Sequence, residues 1–223
     1  MNIQEKLAIL KKEIPPAVRL VAVSKTKSVI DILEAYQAGQ KAFGENRAQE
    51  LLQKAPLLPP DIEWHFIGHL QTNKVRTIAP FVDTIESIDR LKLLAEVNRE
   101  AEKINRVIRC LLQFHIASEE TKFGMDTDEA FALLRSPEFV TFRNIRVTGV
   151  MGMASLTCNQ DLIRKEFRTL KDYFRRIREE FFPGDERFRE ISMGMSGDYR
   201  IAIEEGSTMV RIGTSIFGER NFP

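Results

Sequence analysis

IRVTGVMGM at residues 145–153 is a short apolar run rich in strand-forming residues, and REISMGM at residues 189–195 is a second. Continuous apolar runs of this length are typical of strands buried on both faces. The segment between them, residues 160–182, is predicted to be helical because its apolar residues recur every three or four positions. Pro183 and Gly184 end that helix. The stretch therefore predicts a strand–helix–strand unit with two parallel strands.

The same alternation extends over the rest of the chain. Six further runs bring the number of predicted strands to eight: RLVAVS (19–24), KAFGE (41–45), IEWHFIG (62–68), FVDTIES (81–87), VIRCLLQFHI (107–116) and MVRIG (209–213). The segments between them carry helix signals, such as the capping box of Ser28 and Asp31 with Gly39 as a stop. Residues 89–103 are likewise rich in strong helix formers.

Eight strands that alternate with helices indicate an α/β fold with a parallel sheet. A (β/α)8 barrel typically needs ~250 residues and can be built from about 200, so the 223 residues of this chain are sufficient. The open doubly wound sheet is the alternative, but the G-x-G-x-x-G fingerprint after the first strand is missing. We therefore predict that residues 1–223 form a single TIM-type barrel domain, with its active site at the carboxyl ends of the strands.

Composition excludes several other classes of protein. Lys+Arg 33 against Asp+Glu 32 gives a net charge of +1, which provides no support for nucleic-acid or membrane-surface binding. No apolar run reaches the ~18 residues of a membrane span, and the N-terminus lacks the apolar stretch of a signal peptide. Two distant cysteines, Cys110 and Cys158, form no disulfide framework or metal motif. These features predict a cytoplasmic protein, and we expect a monomer.

The end of the first strand carries a candidate nucleophile. Val21, Val23 and Lys25 alternate onto one face of the strand, so an inward-facing Val23 would place Lys25 at the mouth of the barrel. Partial desolvation there lowers the pKa of a lysine and exposes a neutral amine, which can form a Schiff base with a carbonyl compound. The competing interpretation is an ordinary surface lysine. Lys27, in the following loop, is the second candidate.

The second and third strands end in weaker signals. Asn46 follows the second strand and offers a donor and an acceptor at the rim, although it could instead cap the next helix. His65 and His69 are four residues apart, but no Asp, Glu or Cys stands at a matching spacing for a metal site. We expect His65 to be a buried, hydrogen-bonded residue.

The last two strands carry the strongest local signal. Ser196-Gly197 and Gly213-Thr214-Ser215 each follow a strand and open onto a helix, an arrangement that favours phosphate binding in barrels. Arg211 lies inside the last apolar run and needs a partner, either a carboxylate such as Glu45 or Glu190 or a ligand atom. A Schiff-base lysine, a phosphate cradle and an arginine in neighbouring strands together fit pyridoxal 5′-phosphate (PLP).

Several blocks of the sequence resemble those of the PLP homeostasis proteins, also called PLP-binding proteins, whose barrels are similar to the alanine racemase N-terminal domain. The blocks are AVSKTK (22–27), FGEN (43–46), HFIG (65–68), LQTNK (70–74), SMGMS (192–196) with Asp198, and GSTMVRIG (206–213). The resemblance covers residues from about 7 to 220. It implies a single (β/α)8 barrel with PLP as the cofactor.

The resemblance also implies a role for each site residue. Lys25 matches the lysine that forms the internal aldimine, and Arg211 matches the arginine facing the pyridine nitrogen, which it keeps unprotonated. The remaining matches are Asn46 near the ring and Ser196, Gly213 and Thr214 in the phosphate cradle. The implied function is intracellular vitamin B6 homeostasis: PLP is held and buffered, or delivered to PLP-dependent apo-enzymes, without established catalytic turnover.

Two enzyme functions remain as alternatives. A PLP-dependent amino-acid racemase needs an acid/base on each face of the cofactor adduct. Lys25 could serve one face, and among Tyr36, Tyr173 and Tyr199 only Tyr199 is placed to serve the other. An aldolase-type Lys25 acting on a sugar phosphate would use the same barrel and phosphate site. A bound chromophore would distinguish this aldolase from the PLP homeostasis protein and from the PLP-dependent racemase.

Overall fold

A computed structural model describes residues 1–118 and 123–219. The eight predicted strands form one closed parallel barrel in the order of the sequence, which confirms the predicted (β/α)8 architecture. The strands are β1 (Arg19–Val23), β2 (Ala42–Glu45), β3 (Glu63–Phe66), β4 (Val82–Ile88), β5 (Ile108–Phe114), β6 (Ile145–Gly152), β7 (Glu190–Ser192) and β8 (Met209–Ile212).

Helices connect the strands and surround the barrel. Within the described residues they are α1 (Ile3–Glu13), α2 (Val29–Gln37), α3 (Ala48–Lys54), α4 (Val75–Ile78), α5 (Leu91–Lys103), α6 (Thr127–Arg135), α7 (Pro137–Thr141), α8 (Gln160–Phe181), α9 (Tyr199–Glu204) and α10 (Thr214–Phe217). The predicted capping box is confirmed at α2, where Ser28 and Asp31 bond reciprocally. α8 spans the predicted helix almost completely because its apolar stripe faces the barrel.

Closure of the barrel joins the first strand to the last. Val21 of β1 lies beside Arg211 of β8, and Ala22 lies beside Ile212. The carboxyl ends of β1 and β8 are therefore neighbours, as the phosphate-and-lysine hypothesis requires. Among the described segments, no helix has the length and apolar character needed to cross a membrane.

The main hydrophobic core lies between the barrel and its helices, and the barrel interior is largely polar. Arg19 and Arg109 both pair with Glu63 toward the amino ends of the strands. Above them Val21 packs with Ala42 and Met209 in a small apolar cluster. A second polar set, which includes Arg211, follows toward the carboxyl ends. From the amino to the carboxyl ends of the strands, the interior thus contains a layer of ion pairs, an apolar layer and a second charged layer directly below the site.

Candidate cofactor-binding site

A cavity of about 450 Å³ opens at the carboxyl ends of the strands. All of the site residues predicted from the sequence line it: Lys25, Asn46, Ser196, Arg211, Gly213 and Thr214. A volume of this size is typical of small-molecule sites. The structure therefore brings together residues that are separated by up to about 190 positions in the chain, at the end of the barrel where function is expected.

Lys25 reaches the cavity because of the alternation in β1. Val21 and Val23 face the barrel interior, and Lys25 continues on the same side two residues beyond Val23. Its side chain is half-buried. Lys27 also lines the cavity, but its Nζ donates to the carbonyl oxygens of Phe217 (3.1 Å) and Glu219 (2.9 Å). Lys27 is thus bonded to the backbone at Phe217 and Glu219. The alternation of β1 favours Lys25 as the candidate nucleophile, because it places Lys25 on the inward-facing side of the strand.

Asn46 presents a buried oxygen without a hydrogen-bond partner. Its Oδ1 is inaccessible to solvent and bonds to nothing within the described part of the chain, although Asn46 lines the cavity. The capping alternative is wrong, because the N-cap residue of α3 is Arg47. Gly68 packs directly against Asn46, and a Cβ there would lie 2.2 Å from the Asn46 carbonyl oxygen. A buried unpaired amide oxygen in a cavity wall is an open position for a ligand donor.

The loops after β7 and β8 meet at the cavity. The Gly213 N–H donates to Ser196 Oγ over 3.3 Å, and Thr214 begins α10. A Cβ on Gly213 would lie 3.1 Å from the Val23 carbonyl oxygen, whereas a Cβ on Gly197 would meet nothing within 4 Å. The two loops thus provide hydroxyl groups and first-turn N–H groups, which have no partner inside their helix. This is the chemistry that holds a phosphate.

Arg211 is buried and held by three polar groups of the barrel interior. Its guanidinium donates to Ser192 Oγ and, over 3.0 Å, to the Gly152 carbonyl oxygen. It also faces Glu86 Oε2 at 3.6 Å. Ser192 in turn donates to Glu86 Oε2 over 2.6 Å. The guanidinium therefore cannot rotate freely, although one part of it still borders the cavity.

The carboxylate that faces Arg211 is Glu86, so the expectation of Glu45 or Glu190 is wrong. Glu45 pairs with Lys54 outside the barrel, and Glu190 accepts a hydrogen bond from Thr148. Glu86 takes their place although its strand, β4, is not adjacent to β8. The expectation considered neighbouring strands, but inward side chains of a closed barrel also meet across its interior.

His65 completes the network on the other side of Glu86. Its Nδ1 lies 2.7 Å from Glu86 Oε1, and both side chains are buried. The expectation of a buried, hydrogen-bonded histidine is confirmed. Within residues 1–118 and 123–219, His, Cys, Asp and Glu side chains form no group of three that could bind a metal ion.

Burial and charge oppose each other at Glu86. Burial alone would raise the pKa of its carboxyl group, but the hydrogen bond and charge of His65, the Arg211 guanidinium and the Ser192 hydroxyl together lower it. Burial also lowers the pKa of Arg211, although the charges of Glu86 and Asp198 oppose this effect. We conclude that Glu86 is ionised and counterbalances a buried guanidinium that remains charged.

Some lining residues were missed by the sequence analysis. Met153, Ser155, Leu156 and Thr157 follow β6 and form one wall of the cavity. Met153 is the last residue of the predicted run and the other three follow it, so the end of this run was the available signal. Glu86 was also missed, although a carboxylate inside an apolar run signals a buried partner as clearly as Arg211 does.

The lining has a definite chemical character. Among the described residues, Lys25, Lys27 and Arg211 are the cationic residues of the lining and Asp198 is its carboxylate, which accepts a bond from the Met195 N–H. The cavity therefore favours an anion. With the Lys25 amine and the two loops, it suits a small anionic molecule that carries a carbonyl group and a phosphate.

The comparisons with known proteins agree with this class of barrel. The family model described as "Alanine racemase, N-terminal domain" matches residues 1–221. The pyridoxal phosphate homeostasis protein of Haemophilus influenzae is 37% identical over 235 residues, which cover 100% of this chain and 98% of that protein. The chain belongs to the pyridoxal phosphate homeostasis protein family.

Solved structures show the same relationship. PipY of Synechococcus elongatus PCC7942 without PLP superposes with a TM-score of 0.90 at 35% identity, covering 97% of this chain and 100% of that one. PipY with PLP bound gives a TM-score of 0.87 at 34% identity, with the same coverage. Alanine racemase from Bartonella henselae shares the fold alone, with a TM-score of 0.72 at 16% identity over 99% of this chain and 60% of that chain.

Proposed function

We propose that this protein binds PLP in the cavity at the carboxyl ends of its strands and buffers it or delivers it to PLP-dependent apo-enzymes, without catalytic turnover of its own. The observation that carries the proposal is that Lys25, Arg211 and the two phosphate-type loops line one cavity. The PLP-bound structure of the related PipY supports the choice of ligand. We further propose that the protein acts in the cytoplasm as a monomer.

The residues present fit PLP. When bound, PLP supplies an aldehyde that bonds to a primary amine, together with a phosphate and a pyridine nitrogen. Lys25 offers the amine, and Ser196, Gly213 and Thr214 offer hydroxyl and N–H groups for the phosphate. The unpaired Asn46 Oδ1 offers an acceptor in the wall.

Arg211 would influence the electronic properties of the bound cofactor. A guanidinium is a permanent donor, so it would meet the pyridine nitrogen as an acceptor and keep it unprotonated. An unprotonated ring withdraws electrons poorly. Because Ser192, Gly152 and Glu86 fix the guanidinium, this electronic effect would be built into the barrel. The site would thus hold the cofactor while supporting carbanion chemistry weakly.

The placement of the tyrosines argues against the racemase alternative. Tyr199 was the only candidate for a second acid/base, but its hydroxyl donates to Glu13 Oε2 of α1 over 2.5 Å. Burial and the Glu13 carboxylate raise the pKa of Tyr199 further. Among the described residues, no tyrosine lines the cavity. None of the three tyrosines, all of which lie in the described part of the chain, is therefore placed to act as the second acid/base of a racemase.

The test is a visible absorption spectrum of the protein after incubation with PLP, followed by borohydride reduction and mass mapping of the modified peptide. We expect a yellow protein with the reduced adduct on Lys25. Lys25→Ala should lose the adduct, and the matched variant Lys27→Ala should retain it. A colourless protein without an adduct would overturn the PLP assignment and favour the sugar-phosphate aldolase, whereas an adduct on another residue would overturn the assignment of Lys25. Transfer is tested separately, by the rate at which loaded protein activates a PLP-dependent apo-enzyme.

A further inference from the structure

A buried ionic cluster lies behind Lys25, on the outer side of the barrel. Its members are Ser24, Glu45, Glu50 and Lys54, which we call the lysine clamp. Lys54 Nζ donates to the Ser24 carbonyl oxygen (2.9 Å), to Glu45 Oε1 (2.8 Å) and to Glu50 Oε2 (2.9 Å). The Ser24 hydroxyl donates to the same Glu45 oxygen over 2.7 Å. Lys54 is only 8% exposed, so these three acceptors replace its hydration.

The lysine clamp contacts the backbone on both sides of Lys25. On one side, Lys54 binds the carbonyl oxygen of Ser24. On the other side, Glu50 Oε2 accepts the N–H of Thr26 over 2.7 Å. Two residues of α3 thus hold the residues that precede and follow Lys25. The clamp therefore determines where the Lys25 side chain leaves the backbone.

The turn that contains Lys25 is strained. The Lys27 N–H donates to the Ser24 carbonyl oxygen over 3.0 Å, which closes a four-residue turn. Thr26, its third residue, has φ +64°, a conformation that glycine usually provides in turns of this kind. A β-branched residue adopts it only when its surroundings compensate. The Glu50 carboxylate on the Thr26 N–H is such a compensating contact.

The charge state of Glu50 agrees with this role. Burial would raise its pKa, but the Thr26 N–H and the Lys54 ammonium lower it below the usual value. The carboxylate is therefore ionised at neutral pH. Charge-assisted hydrogen bonds of this kind are shorter and stronger than neutral ones, so the contact is well suited to hold a strained peptide.

We propose that Glu50 and Lys54 are positioning residues that hold the strained Lys25–Thr26 turn so that the Lys25 amine reaches into the cavity. This inference rests on the proposed function, in which Lys25 bonds to the PLP aldehyde. In that step a C=N bond forms between the amine and the aldehyde carbon, and the aldehyde oxygen leaves as water. The clamp contacts this turn at the Ser24 carbonyl oxygen and the Thr26 N–H. It acts through the backbone, and so should affect the rate of bond formation more than the affinity of the cavity.

The test separates these two quantities in the full-length protein. Bond formation is followed by borohydride trapping of the Lys25 adduct after increasing times with PLP. Affinity is measured with pyridoxine 5′-phosphate, which lacks the aldehyde and cannot bond to Lys25. Glu50→Ala should slow trapping by about tenfold, the factor that ~1.4 kcal/mol of uncompensated strain would produce. Its affinity for pyridoxine 5′-phosphate should stay within about twofold of the wild type.

Two matched variants and a rescue make the test specific. Glu50→Gln keeps an oxygen for the Thr26 N–H and should lose much less rate than Glu50→Ala. Gln53→Ala, at an exposed position of the same helix, should change neither quantity. Thr26→Gly removes the strain, because glycine adopts positive φ freely, and should restore most of the rate in the Glu50→Ala background. Lys54 is left intact in this series, since its loss would leave two carboxylates facing each other.

The outcomes distinguish this inference from the proposed function. If wild-type protein forms no adduct on Lys25, the proposed function fails. If wild-type protein forms the adduct and Glu50→Ala forms it equally fast, only the positioning role is wrong. Equal losses of trapping rate and of pyridoxine 5′-phosphate affinity would also overturn the positioning role, because they would indicate a general disturbance of the cavity.

Discussion

Replacement of Glu86 by glutamine isolates the charge beneath the candidate site. Glutamine has nearly the same shape and keeps one oxygen and one nitrogen for hydrogen bonds to His65 and Ser192. It removes the negative charge that faces the Arg211 guanidinium at 3.6 Å. Both Glu86 and Arg211 are buried, at 0% and 4% exposure. Water therefore cannot solvate the Arg211 guanidinium in place of the lost carboxylate, and the guanidinium is left without its counterion.

The magnitude follows from this burial. Breaking a buried ion pair by removing one partner costs about 3–5 kcal/mol. We expect about 3 kcal/mol, at the lower end, because glutamine still accepts or donates at both positions and because Arg211 keeps its bond to the Gly152 carbonyl oxygen. For a chain of 150–250 residues, 1 kcal/mol corresponds to about 2–4 °C in Tm. The expected fall in Tm is therefore about 6–12 °C.

The assay is urea denaturation of Glu86→Gln and wild-type protein at several pH values. Because the folded-state pKa of Glu86 lies below the usual 4.5, the native state binds fewer protons than the unfolded state as pH falls through this range. The stabilisation by Glu86 is thus present at neutral pH and is lost progressively as the pH falls below 4.5 and through the lower folded-state pKa. The difference between the two proteins should be constant near neutral pH and should shrink in acid.

Glu180→Gln provides the matched control for this experiment. Glu180 pairs with Arg135, and the two side chains are 42% and 62% exposed, so the same substitution should have little effect on stability. A loss below about 1 kcal/mol for Glu86→Gln at neutral pH would refute the reasoning. A difference that stays the same in acid would show that the ionised carboxylate is not its source.

Three further predictions concern the cavity. Asn46→Ala should weaken PLP binding by about 0.5–1.5 kcal/mol, measured by equilibrium titration, because a donor of the ligand would lose Asn46 Oδ1 as its acceptor; unchanged affinity would show that this oxygen faces no ligand. Gly213→Ala should lower stability by ~1–3 kcal/mol in urea denaturation, since its Cβ would lie 3.2 Å from Val23 Cβ, whereas Gly197→Ala should not, since its Cβ has open space. Tyr199→Phe should leave PLP loading unchanged; loss of an amino-acid racemisation signal in this variant alone would revive the racemase alternative.

The strands and the site residues could be predicted because their signals are local. Each apolar run marks one strand, and the residues that follow a run lie at the functional end of a parallel barrel. The position of Lys25 needed only the period-two alternation that starts at Val21. The loops at Ser196 and Gly213 needed only their small residues at strand ends. These inferences do not depend on which strands are neighbours.

The supporting contacts could not be predicted, because they depend on register and on the closed shape of the barrel. Glu86 on β4 and Arg211 on β8 face each other across the barrel, whereas the expected partners Glu45 and Glu190 lie on β2 and β7, which are closer to β8 in the barrel order. Lys54 is an unremarkable residue in an α3 sequence of ordinary helical composition, and nothing local indicates that its ammonium is buried. Such pairings become visible only when the side chains are placed in three dimensions.

Two buried ionic networks therefore support Lys25 and Arg211, the two side chains that the proposed function requires. The lysine clamp holds the backbone around Lys25, and Glu86 with Ser192 holds Arg211 from the barrel interior. Well-packed apolar residues in place of a complete buried ion pair are often neutral or stabilising, so stability alone does not require charge at these positions. Both networks instead act on the orientation of a group that lines the cavity, which is the constraint a cofactor site imposes on its supporting residues.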